Sequence, residues 1–85
     1  MALQISPPVG ETIEELRQAI QSALPESEVR ISGGGGHFEI RVVSSAFEGK
    51  NSLAKQRMVY AAIAHLMQGD RAPVHAVDRL ETLVP

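Results

Sequence analysis

Glu28-Val29-Arg30-Ile31-Ser32-Gly33-Gly34-Gly35-Gly36-His37-Phe38-Glu39-Ile40-Arg41-Val42 is the stretch that sets the architecture. Residues 28 to 32 alternate polar and apolar, as a half-buried strand does. His37 to Val42 alternate again, which puts Phe38, Ile40 and Val42 on one face. Four glycines separate the two runs, and glycine takes the positive φ that a tight turn needs. The expectation is an antiparallel hairpin turning at Gly33 to Gly36.

Upstream, Thr12 and Glu15 have the capping-box spacing of a helix start. Ile13, Leu16, Ile20, Ala23 and Leu24 follow as one apolar helical stripe, and Pro25 ends it. Residues 1–10, with Pro7, Pro8 and Gly10, read as a flexible lead-in to a single domain over 11–85. Downstream, Asn51 or Ser52 is placed to cap a second helix running to about Met67, with Gly69 as its stop. Leu53, Val59, Tyr60, Ile63, Ala64, Leu66 and Met67 share one broad arc of that helix and are expected to face the core. A third strand is predicted from Val74 to Leu80. A strand–helix–strand connection of this length favours a right-handed crossover, so the third strand should run parallel to the second. The result is an α+β fold of order α-β-β-α-β, with a three-stranded mixed sheet and both helices on one face.

The chain has 85 residues, enough for one core. There is no cysteine, which removes disulfides and thiolate chemistry from this chain alone. No apolar run is long enough to span a membrane, and the first ten residues lack the pattern of a signal peptide, so a cytoplasmic protein without membrane contact is expected. Charge is unevenly spread within a net −2. Glu11, Glu14, Glu15, Glu26 and Glu28 stand against Arg17 alone in residues 1–28, whereas Lys50, Lys55 and Arg57 form a local basic patch. No serine is paired with a recognisable histidine and acid, and Glu14 and Glu15 do not face each other on a helix. The reading is a binding protein without catalytic residues.

Four segments in register carry a family resemblance: Gly-Gly-His-Phe-Glu-Ile at 35–40, Val-Val-Ser-Ser-Ala-Phe-Glu-Gly at 42–49, Lys-Gln-Arg-Met-Val-Tyr at 55–60 and Val-His-Ala-Val at 74–77. Together they resemble the BolA-like family, and the short glycine-rich hairpin is similar to its IbaG-like subgroup. The basic trio departs from the family's usual Arg-His-Arg, because Gln56 stands in the middle. The hairpin loop also lacks the Cys or His that many relatives carry there, and His37 at its exit is the nearest candidate.

The resemblance implies a class II KH-like fold. It also implies a monothiol glutaredoxin partner, with a two-iron two-sulfur (2Fe-2S) cluster shared between the two proteins and glutathione, and none held by this chain alone. Iron homeostasis, stress response and transcriptional regulation are the implied settings. His75 matches the family's ligand position, and imidazole is a known replacement for thiolate on one iron. From the residues alone a strand histidine reads rather as a structural hydrogen-bonding group, and the resemblance reverses that preference. His37 is the second candidate ligand, whereas His65 reads as a solvated helix residue.

Gly35, Gly36, Lys55 and Arg57 are the candidate partner contacts. Lys50, Lys55 and Arg57 form the alternative, a nucleic-acid-binding patch for a DNA-binding regulator. The tetraglycine is read as a turn and not a phosphate cradle, because a strand follows where a P-loop needs Gly-Lys-Ser/Thr and a helix. Alone, the chain is expected to be a monomer or a weak homodimer.

Overall fold

The computed structural model describes residues 9–85. The elements run α1 (Val9–Ala23), β1 (Glu28–Gly34), β2 (His37–Val43), α2 (Ser52–Ile63) and β3 (Ala76–Leu83). Single 3₁₀ turns lie at Ser45–Phe47 and Ala64–Leu66. The sheet order is β1-β2-β3, with β1 antiparallel to β2 and β3 parallel to β2. This is the expected α-β-β-α-β mixed-sheet fold.

Both helices pack on one face of the sheet. Leu16, Ile20 and Leu24 of the first segment meet Val29, Phe38, Ile40 and Val42 of the sheet and Val59 and Ile63 of α2 in one core. Phe47, brought in by the 3₁₀ turn, and Val74, from the loop before β3, are fully buried with them. Among the described residues no helix covers the other sheet face, which carries Arg30, Glu39, Arg41, Arg79 and other exposed side chains.

Four expectations need correction. The first helix begins at Val9, three residues before Thr12, so the capping-box reading fails. Residues 1–8 of the expected lead-in lie outside the described residues, and Val9 and Gly10 are already helical. Thr12 is buried because it continues the stripe of Leu16, Ile20 and Leu24 at four-residue spacing, and that period outweighs the cap signal.

The turn uses only two of the four glycines. Gly33 and Gly34 belong to β1 and pair with Phe38 and His37. Gly35 and Gly36 both have positive φ (64° and 87°), as a two-residue hairpin turn of the mirror-image type requires. That choice matches the twist of the flanking strands, which a looser four-residue loop would not impose.

The second helix buries only part of the arc expected: Val59, Ile63, Leu66 and Met67 join the core, but Leu53 and Tyr60 do not. Val59 and Ile63 are fully buried and Met58 and Ala62 pack beside them, but Leu53 and Tyr60 are 53% and 38% exposed. Met58 and Ala62 take the place in the core expected of Leu53 and Tyr60, so that edge of the predicted arc faces solvent. Asn51 is its cap, with Oδ1 accepting from the Ala54 N–H at 2.9 Å.

The third strand starts at Ala76 and ends at Leu83, two to three residues later than predicted. The Val74 N–H donates to Leu66 O at 3.2 Å, so its backbone serves the end of α2 and its side chain plugs the core. It is therefore unavailable to the sheet ladder.

Candidate functional site

His75 leaves the core at the junction between this loop and β3. Its backbone N–H donates to Gly36 O at 2.7 Å, and the next N–H, of Ala76, donates to the same oxygen at 3.0 Å. The hairpin turn is thereby latched to the start of β3. The imidazole lies against the α-carbon of Gly36, so close that a Cβ there would sit 2.9 Å from both Cγ and Nδ1. His75 is exposed, and among the described residues no hydrogen-bond partner engages its ring. Cγ and Nδ1 face Gly36, so Nε2, on the far edge of the ring, is the nitrogen placed to donate a lone pair to a metal.

His37 stands one residue after the turn and pairs with Ala76 across the β2–β3 ladder. The two candidate histidines are thus on neighbouring strands at the same end of the sheet. Their rings are differently engaged, because His37 Nδ1 lies 3.2 Å from Asp78 Oδ1. The ladder slips at Phe38/Glu39, so β2 passes from pairing with Val77 to pairing with Arg79 and Asp78 is left between them. A slip of this kind re-aims a side chain, and here it puts Asp78 beside His37. Nothing near Asp78 in the sequence marks it, since an irregular parallel register has no local motif.

A 2Fe-2S cluster takes four ligands, and a histidine-ligated iron retains cysteine thiolates on its neighbour. This chain offers His75 and, through the nitrogen that does not face Asp78, His37. Among the described residues no group of three or more His, Cys, Asp or Glu side chains converges on one metal position. The donor set therefore fits a shared site in which another molecule supplies the remaining ligands.

The basic residues do not form one patch. Lys55 and Arg57 are two positions apart on a helix, about 200° around its axis, and such residues do not share a face. Lys55 is half-buried, on the side of Val59 and Ala62, whereas Arg57 is exposed on the side of Leu53 and Tyr60. Lys50 precedes α2 and is exposed. His65, in the 3₁₀ turn after α2, is also exposed. The outward stripe of Leu53 and Tyr60 was missed by the sequence reading, although their i, i+7 spacing with Arg57 between them would have grouped all three.

A shallow depression lies on the open sheet face, lined by Arg30, Ser32, Glu39, Arg41, Arg79 and Glu81. None of the candidate residues borders it. Arg79 and Glu81 pair there at 3.2 Å, and the alternation of arginine and glutamate is that of a solvated face. No helix of the described residues is long and apolar enough to cross a membrane.

Comparison with known proteins adds to this geometry. The BolA-like protein family matches residues 13–84. The acid stress protein IbaG of Escherichia coli K12 is 33% identical over 63 residues, covering 74% of this chain and 73% of that protein. BolA-like protein 1 of Homo sapiens is 38% identical over 79 residues, covering 81% of this chain and 56% of that protein. A solved bolA protein homologue from Coxiella burnetii superposes with a TM-score of 0.70 at 38% identity, covering 85% of this chain and 88% of that one. A family match that runs from α1 to the end of β3 and takes in the hairpin, α2 and His75 establishes membership: the chain belongs to the BolA-like family.

Proposed function

We propose that this chain is a non-catalytic regulatory protein of the cytoplasm that binds a monothiol glutaredoxin and shares or modulates its 2Fe-2S cluster. The observation that carries the reading is the backbone latch between Gly36 and His75, which sets an exposed imidazole beside the hairpin turn with Nε2 on its far edge from Gly36. His75 supplies one ligand. His37 is the second candidate, held by Asp78 and reached from the same end of the sheet. The thiolates come from the glutaredoxin and from glutathione. The cluster, when bound, supplies a redox-active and transferable iron centre. What this chain does is orient one imidazole and present the glycine turn, including Gly35, as a flat contact without side chains. The kinship with the acid stress protein of E. coli supports a setting in stress response.

The test is anaerobic cluster assembly on a mixture of this protein, a monothiol glutaredoxin and glutathione, followed by visible circular dichroism. A spectrum distinct from that of the glutaredoxin alone, and lost in His75→Ala while the far-ultraviolet spectrum persists, is expected. A heterocomplex spectrum unchanged by His75→Ala would remove His75 as a ligand.

A further inference from the structure

We propose that Asp78 is the positioning residue for His37. It holds the Nδ1 edge of the ring, so that His37 presents Nε2 as the second donor, which the hairpin turn itself does not supply. The inference rests on the shared-cluster reading for what that donor binds, and on the His37–Asp78 contact for the donor itself. Gly35 and Gly36 make the turn, and neither carries a side chain. The nearest side chain in sequence able to coordinate is therefore His37, at the exit of the turn.

His37 and His75 are fixed by different means. The His75 ring lies against the α-carbon of Gly36, and its backbone N–H is bound to Gly36 O at 2.7 Å. The His37 side chain is 58% accessible, and among the described residues Asp78 is the one group bonded to its ring, Nδ1 to Oδ1 at 3.2 Å. An ionised carboxylate only accepts, so Nδ1 carries the proton and the lone pair is left on Nε2. A neutral imidazole free in water prefers the opposite tautomer, whose proton blocks Nε2 as a ligand. The contact thus selects the tautomer as well as the orientation, as a carboxylate behind a metal-bound histidine does. The sheet leaves Asp78 to this contact. Its neighbour Arg79 pairs with Glu81 at 3.2 Å and stands opposite Glu39 in the ladder. The slip at Phe38/Glu39 gives Asp78 no cross-strand partner of its own, and His37 is what its carboxylate meets.

The experiment has two readouts on the full chain. The first is the ring tautomer of the three histidines in the protein without metal, from long-range proton–nitrogen correlation NMR at alkaline pH, where imidazole is neutral. His37 should carry its proton on Nδ1 and change to Nε2 in Asp78→Ala. His65 and His75, with no carboxylate bonded to their rings among the described residues, should stay as in wild type. A wild-type His37 protonated on Nε2, or a tautomer indifferent to Asp78→Ala, overturns the proposal. The second readout is the visible circular dichroism of the heterocomplex with a monothiol glutaredoxin and glutathione, followed during challenge with a chelator. Asp78→Ala and His37→Gln should each lose the cluster about tenfold faster than wild type. Unfolding midpoints equal to wild type establish that both variants are folded. Loss that quickens in neither variant, in a complex still dependent on His75, overturns the proposal and leaves the shared-cluster reading standing. Loss that quickens in only one of the two overturns the coupling between Asp78 and His37. A wild-type chain that forms no heterocomplex overturns the shared-cluster reading, and the donor role of His37 with it.

Discussion

The α-carbon of Gly36 is the surface on which the imidazole of His75 rests, while Gly36 O accepts the backbone N–H of His75 at 2.7 Å. One residue therefore both holds the histidine and leaves room for it. Gly36→Ala should lower stability by about 1–2 kcal/mol, because alanine at φ 87° is strained and its Cβ collides with the ring. Gly35→Ala, at φ 64° with open space around it, carries the strain alone. Urea denaturation should rank the two, and the imidazole resonances of His75 should move only in Gly36→Ala.

The Asn51 cap gives a second measure. Asn51→Ala removes the acceptor of the Ala54 N–H and should cost about 1 kcal/mol. Asn51→Asp keeps the acceptor and adds a negative charge at the positive end of α2, so it should be as stable as wild type or more. Thermal unfolding of both variants checks the order.

Phe47 is fully buried, and the chain has only two phenylalanines. Phe47→Ala should cost about 3–5 kcal/mol through the cavity it leaves, a large part of the stability expected of a domain this small. Calorimetry should show a large fall in Tm or a loss of the cooperative transition.

The two faces of α2 should respond oppositely to truncation. Ile63→Ala should cost about 2–5 kcal/mol, because Ile63 is fully buried. Leu53→Ala, at an exposed position, should stay within about 0.5 kcal/mol of wild type. Denaturant midpoints for the pair test the orientation of the helix directly.

The His37–Asp78 pair is exposed on both sides, with side chains 58% and 53% accessible. His37→Gln should therefore change stability by no more than about 1 kcal/mol. Any larger effect of that variant on the glutaredoxin heterocomplex would be a property of the site. Comparing its unfolding curve with its visible spectrum separates the two.

By itself the sequence determined what periodicity and turn chemistry encode. The alternation around Phe38, Ile40 and Val42 gave β2 its buried face, the glycines gave the hairpin, and the 3.6-residue spacing of Leu16 and Ile20 gave α1 its stripe. The strand–helix–strand order gave the parallel partner. The position of His75 was legible through its neighbours at 74–77. Tertiary structure decided what depends on contacts between elements. Packing of α2 through Met58, Val59, Ala62 and Ile63 left Leu53 and Tyr60 exposed, because several apolar residues in a wide arc leave more than one face able to pack. The bond from Val74 to Leu66 delayed β3, and the slipped register beside Phe38 set Asp78 against His37. Those outcomes rest on which backbone groups find partners far along the chain, and no local pattern carries that information.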